Sequence, residues 1–203
     1  MATLSSAAVA APRPVLADLL PGVRARSAVL VVAGALFTAL CAQIAIQVPP
    51  SPVPVTGQTL AVVLVGATLG ARRGAAALAL YLLLGLLLPV YADGSSGWHV
   101  VWGPTGGYLI GFIVAAGVIG ALAERGADRR IPTAFAIFAL GQLIVFGFGV
   151  PGLMLATGQD LGWSIHNGFT LFIVGGLMKA AVAGLVLPSA WRLVRKVDGE
   201  GDR

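Results

Sequence analysis

The chain has 203 residues, 58% of them hydrophobic and 10% charged, with a mean hydropathy of +0.93 and a formal net charge of +5. Charged residues make up about a quarter of an ordinary soluble chain, so a soluble globular domain is excluded. A nucleic-acid footprint is excluded too, because it needs cations clustered on one face of a soluble fold, whereas here the arginines sit between apolar stretches.

Residues 1–26 open the chain with an Ala- and Pro-rich segment containing Pro12, Arg13, Pro14 and Pro21. No small-residue cleavage site follows an apolar region of the right length, so the segment is predicted to be a flexible cytoplasmic lead-in rather than a signal peptide. Six apolar stretches follow, at 27–48, 55–71, 74–91, 105–123, 132–150 and 166–191. A run of about 18 or more apolar residues reads as a membrane span. The second and third are short, roughly 17 residues and 25 Å at the helical rise, and are predicted to form a tight hairpin turning at Arg72 and Arg73. The membrane domain is placed at 27–195 and a cytoplasmic tail at 196–203.

Orientation follows from the cations, which are retained in cytoplasmic loops. Arg24 and Arg26 precede the first stretch, Arg72 and Arg73 divide the second from the third, Arg125, Arg129 and Arg130 divide the fourth from the fifth, and Arg192, Arg195 and Lys196 close the sixth. The intervening loops, 49–54, 92–104 and 151–165, carry no Lys or Arg. This alternation predicts an all-α bundle of six transmembrane helices with both termini on the cytoplasmic side.

Along the first stretch, Ala35 and Ala39 lie among Ala33, Ala42 and Ala45. Small residues three to four apart let another helix approach closely, either from a partner protein or from the same chain. The lone cysteine, Cys41, allows neither a disulfide nor a Cys-based metal site. Polar side chains gather near one set of span ends: Gln43 and Gln47 at i, i+4, then Thr56, Gln58, Thr59, Gln142 and Asn167. They are suited to binding a neutral polar head group, or equally to bonding between helices.

The loop Asp93-Gly-Ser-Ser-Gly-Trp-His-Val-Val-Trp-Gly-Pro-Thr-Gly-Gly-Tyr108 combines glycines with Trp98, Trp102 and Tyr108. Glycine permits close backbone approach to a ligand, and the aromatic rings offer flat apolar walls with polar edges. The competing reading is an interfacial aromatic belt with ordinary turn glycines. His99 and His166 have no second ligand at metal spacing, so no metal site is expected.

Lys179 is the charged side chain that lies well inside a predicted span. It is about 13 residues from each end of the sixth stretch, roughly 18–20 Å along a helix and beyond the reach of snorkelling. An ammonium there costs at least about 2.5 kcal/mol. Every Asp and Glu falls in a predicted loop or tail, so the sequence supplies no intramembrane counter-ion. Either backbone carbonyls satisfy a structural lysine, or the partner is an anionic ligand, which is the default reading of an intramembrane ionisable residue.

The sequence contains no Gly-Lys dipeptide and hence no phosphate-binding P-loop. No nucleophile with a base, and no His and carboxylate cluster, converges within the spans. An enzyme is therefore not expected.

Three segments resemble the BioY family of biotin-binding S components of energy-coupling-factor (ECF) transporters: Pro52-Val-Pro-Val-Thr-Gly-Gln-Thr-Leu60, Gly103-Pro-Thr-Gly-Gly-Tyr108-Leu-Ile-Gly-Phe112, and the late Lys179. The resemblance extends from about residue 27 to 195. In the sixth span the family pattern is Gly-x-x-Pro-Phe-x-Pro-Gly-Asp-x-x-Lys, and Gly168, Phe172, Gly175 and Lys179 keep its register. Leu171 and Val174 stand in place of its prolines, and Gly176 in place of its Asp.

The resemblance implies capture of biotin at the outer face of a prokaryotic cell membrane. It also implies delivery to a module of one membrane coupling protein and two cytosolic ATPases, so that ATP acts only through partners and no cofactor is bound. A homo-oligomer is left open. The implied substrate-binding residues are Gln58, Thr59, Trp98, Gly103, Pro104, Thr105, Gly107, Tyr108, Asn167, Gly176 and Lys179, with Ala35 and Ala39 as the face for the coupling protein. The alternative is a self-contained secondary carrier for another small organic anion, although duplicated halves with matching broken spans are not evident in the sequence.

Overall fold

A computed structural model of the chain describes residues 14–19 and 23–201, with side chains over 14–19 and 27–194. Residues 1–13 of the expected lead-in, the last two residues of the expected tail, and the side chains of Arg24, Arg26, Arg195 and Lys196 lie outside it. The described residues form eight α-helices: α1 (Val23–Ala42), α2 (Gln58–Leu69), α3 (Ala71–Leu87), α4 (Trp98–Val101), α5 (Gly106–Ala123), α6 (Ile131–Thr157), α7 (Leu161–Gly168) and α8 (Ile173–Gly201). Two short strands, β1 (Ala45–Ile46) and β2 (Val55–Thr56), pair antiparallel with Ala45 opposite Thr56.

Four helical stretches, Ala71–Gly94, Gly106–Ala123, Ile131–Thr157 and Leu161–Val194, are long and apolar enough to cross a membrane, while Ser27–Ala42 and Gln58–Leu69 are apolar but shorter. Each predicted stretch overlaps chiefly one helix of 12 residues or more, with changed boundaries at the polar ends. Pro49, Pro50, Pro52 and Pro54 keep the turn before α2 out of a helix, because proline lacks the N–H that a helix interior needs. The second stretch therefore begins as a strand, and α2 is only 12 residues long.

The predicted sixth span is also divided. Phe169, at φ −134° and ψ −54°, separates α7 from a 3-10 turn over Thr170–Phe172, and α8 starts only at Ile173. Lys179 is consequently about 9 Å along α8 from its start, about half the helical distance expected from an unbroken stretch.

α5 lies centrally, against α2, α3 and α6, while α1 covers α2 and α3 and α8 covers α6. In lipid, close approach of small residues replaces the hydrophobic drive between helices. A Cβ on Gly66 of α2 would sit 2.7 Å from the Ala116 carbonyl oxygen of α5, and one on Gly74 of α3 would sit 3.0 Å from the Cα of Gly66. The alanines of α1 serve the same purpose. Ala35 and Ala39 are 0% and 8% exposed within the chain itself, so here the stripe packs internally and does not present a free docking face. The outward side of α1 carries Val29, Val32, Leu36 and Leu40 instead.

One end of the bundle gathers the arginines and is called the basic end below. The other carries the hairpin and the longer connections and is called the loop end. At the basic end the α2–α3 joint is Gly70, whose φ of +82° favours glycine. Arg72 and Arg73 fall in the first turn of α3 and do not make the turn themselves. Glu124 Oε1 accepts the Ala71 N–H at 2.9 Å, satisfying an otherwise free donor at the start of α3.

Residues 14–19 are seated across this end. Val15 and Ala17 are buried, Arg73 pairs with Asp18, and Arg129 donates to the Pro14 carbonyl at 3.0 Å. Trp191 is buried among them. Its Nε1 donates to Asp128 Oδ2 at 2.5 Å while the Arg129 guanidinium lies 4.2 Å from its ring centroid. Burial pushes the Asp128 carboxyl above the usual carboxylate range, and the bond from Trp191 and the charge of Arg129 offset this only partly.

Candidate binding site at the loop end

A cavity of about 340 Å³ opens among the hairpin, the α3–α4 connection, α5, α6 and α8 at the loop end. Its size falls within the usual range for small-molecule pockets, about 300–1,000 Å³. The structure brings Gln58, Thr59, Pro104, Thr105, Tyr108, Gly176 and Lys179 together on its wall.

The ammonium of Lys179 donates to Thr59 Oγ1 at 3.0 Å, and no acid stands against it among the described residues. Three residues earlier, Gly176 faces open space, since a Cβ there would meet no atom within 4 Å. Lys179 is thus held in place by a neutral hydroxyl, with donors left over on the cavity side.

Gln58 belongs to a buried chain of hydrogen bonds. The Thr56 hydroxyl donates to Gln58 Oε1 at 2.8 Å, Gln58 Nε2 donates to the Tyr81 hydroxyl at 2.6 Å, and Tyr81 donates to the Val90 carbonyl at 3.2 Å. This network ties the hairpin to α3 and the connection after it, so Gln58 forms a fixed wall. Gln142 on α6 makes no hydrogen bond among the described residues and presents a free amide. Tyr108 spends its hydroxyl on the Gly168 carbonyl at 2.8 Å, which leaves its ring beside Phe146 and Phe172, at centroid distances of 6.2 and 6.5 Å.

Four expected site residues lie elsewhere. Trp98 is 62% exposed on α4, outside the cavity, as suits an interfacial anchor. Gly103 makes the turn after α4, where a Cβ would lie 2.6 Å from the His99 carbonyl oxygen. Gly107 lets α5 approach α6, with Gly152 Cα 3.0 Å from where its Cβ would be. Asn167 is buried in α7 and donates to the Trp163 carbonyl at 3.0 Å, off the cavity wall.

Other wall residues had no strong signal in the sequence. Phe112, Phe146 and Phe172 supply aromatic surface, and His99 lines the mouth. A phenylalanine inside an apolar span is indistinguishable by pattern from one facing lipid. Gln43 and Gln47 join loops across the mouth: Gln43 Nε2 donates to the Tyr91 carbonyl at 3.3 Å and Gln47 Nε2 to Asp93 Oδ2 at 2.6 Å.

A membrane-embedded helical bundle with an aromatic-walled pocket that holds one ammonium and glutamine amides, and no arrangement of catalytic groups among the described residues, is a small-molecule binding protein. Residues 12–196 match the model of the BioY family, and the chain belongs to that family. It is 42% identical to the "Biotin transporter BioY" of Thermotoga maritima over 153 residues, covering 74% of this chain and 89% of the relative. Against the "Biotin transporter BioY" of Rhizobium etli it is 37% identical, covering 75% and 87%. Its fold is similar to the crystal structure of the S-component for biotin from an ECF-type ABC transporter, with a TM-score of 0.77, 23% identity, and coverage of 86% of this chain and 95% of that one.

Proposed function

We propose that this chain captures biotin in the loop-end cavity and delivers it across a prokaryotic cell membrane as the S component of an ECF transporter. The observation that carries this reading is Lys179, an ammonium on the wall of a largely aromatic and apolar cavity whose hydrogen-bond partner among the described residues is a single hydroxyl. Biotin combines a carboxylate, ionised at neutral pH, with an apolar chain and a compact polar ring, and the cavity offers matching chemistry at each. Family membership and the named relatives support the same ligand.

In this reading both termini are cytoplasmic and the chain crosses the membrane six times, with α1 and the short α2 among the crossings. The alternation of cations along the chain supports that orientation. The partners are a membrane coupling protein and two ATPases, since the chain has no phosphate-binding loop of its own. The outward side of α1, rather than Ala35 and Ala39, is the surface of that helix free for docking.

Equilibrium binding of radiolabelled biotin to the detergent-purified protein tests the reading, with unlabelled biotin, thiamine and riboflavin as competitors. Saturable binding displaced by biotin alone is expected. Absence of binding by folded protein overturns it.

A further inference from the structure

The cavity carries opposite charges on separate elements. Lys179 projects from α8, while Asp93 lies on the connection between α3 and α4, and both line the wall. Among the described residues no ion pair joins them. Asp93 Oδ2 accepts from Gln47 at 2.6 Å, and Oδ1 has no hydrogen-bond partner there. Asp93 is exposed at the mouth of the cavity and holds a positive φ of 54°, a backbone conformation that non-glycine residues adopt infrequently. Phe112, Phe146 and Phe172 supply the apolar wall.

We infer, resting on the biotin reading, that Asp93 is the second polar anchor of the pocket. It accepts the ring N–H groups of biotin while Lys179 takes the carboxylate. A ligand carboxylate at Asp93 meets a like charge, and at Lys179 it meets an opposite one, so the two side chains fix the direction in which the molecule enters. The urea ring offers N–H donors to an acid, and its connecting hydrocarbon chain suits the phenylalanines. The open space at Gly176 leaves room for a carboxylate beside the ammonium.

The test uses the purified full chain and compares biotin, biotinamide and 2-iminobiotin as competitors of labelled biotin. Biotinamide lacks the carboxylate charge, and 2-iminobiotin carries a guanidinium cation in place of the neutral urea. The parent protein is expected to bind biotinamide at least about tenfold more weakly than biotin, and 2-iminobiotin within about threefold of biotin. In Asp93→Asn the affinity for 2-iminobiotin relative to biotin falls about three- to tenfold, as for loss of a partly screened charge pair, and the biotinamide ratio is unchanged. Gln47→Leu keeps the acid and leaves both ratios as in the parent.

An Asp93→Asn protein with an unchanged 2-iminobiotin ratio overturns the inference, as does one in which the biotinamide ratio changes instead. So does an equal change in Gln47→Leu, which would make Asp93 only a loop clasp. Should Asp93→Asn fail to fold, the parent decides alone: tight biotin binding with more than about tenfold discrimination against 2-iminobiotin overturns the assignment. A parent that binds no biotin overturns the functional reading itself, a result distinguishable from all of these.

Discussion

Lys179 stands out in the sequence because lipid makes an ammonium expensive wherever water is absent. What the sequence obscures is its position along the helix, since Asn167-Gly168 is the only signal of the break at Phe169 and lies inside an otherwise apolar stretch. Lys179→Met is expected to weaken biotin binding more than tenfold, following about 1.5–3 kcal/mol for a hydrogen bond to a charged group; the dissociation constant measures it, and an unchanged value removes Lys179 from the site. Asp128 makes a different prediction. Its pKa is raised by burial, so the folded protein holds this proton more tightly than the unfolded chain, and stability is lost as pH rises from the ordinary carboxylate range through the raised value. Asp128→Asn keeps an acceptor for Trp191 and removes the titration. Its thermal midpoint at about pH 8 is expected to equal or exceed that of the parent, with a flatter profile toward about pH 5. A midpoint that drops equally at both pH values would show that the carboxylate is needed in its charged form.

At the scale of elements, hydropathy locates the apolar stretches because most of them are bounded by a charge or by Gly, Pro and Ser, while the start of α8 at Ile173 has no such boundary. It is silent on contacts. The Ala35 and Ala39 stripe has the same spacing whether its neighbour is α3 or another protein, and only the fold decides, through burial. The same limit explains why Gly103 and Gly107, side by side with Pro104 and Thr105, are helix-packing and turn residues rather than wall. Close approach can be tested where it is tightest. Gly66→Ala places a methyl 2.7 Å from the Ala116 carbonyl oxygen, a backbone atom that moves only with its helix. Overpacking of this kind costs about 1–3 kcal/mol, so the thermal midpoint should fall clearly below that of the parent. Gly147→Ala, inside α6 where a Cβ meets nothing within 4 Å, serves as the control expected to leave it unchanged or slightly raised.

At the scale of the molecule, the cation pattern and the fold agree on which helix ends lie together: Arg72, Arg73, Arg125, Arg129, Arg130 and Arg192 flank the basic end, and the cavity is at the other. Cysteines introduced one at a time at Arg72 and at Ser95, in a Cys41→Ala background, should be labelled by an impermeant thiol reagent in opposite ways. Ser95→Cys reacts in intact cells, and Arg72→Cys only after permeabilisation; the reverse would invert the proposed orientation. The positions of the residues that cross the mouth, Gln47 with Asp93 and Gln43 with Tyr91, lie beyond what sequence periodicity reveals, because loops bring together residues whose separation along the chain follows no repeat.

The tight junction of Gly66, Gly74 and Ala116 also bears on what the protein is not. With Val62, Val63, Ala115 and Ile119 all nearly inaccessible around it, the helices are close-packed at this level. Among the described residues this junction closes the floor of the cavity, so a solute seated above it passes this level only if the helices that form the floor change their packing.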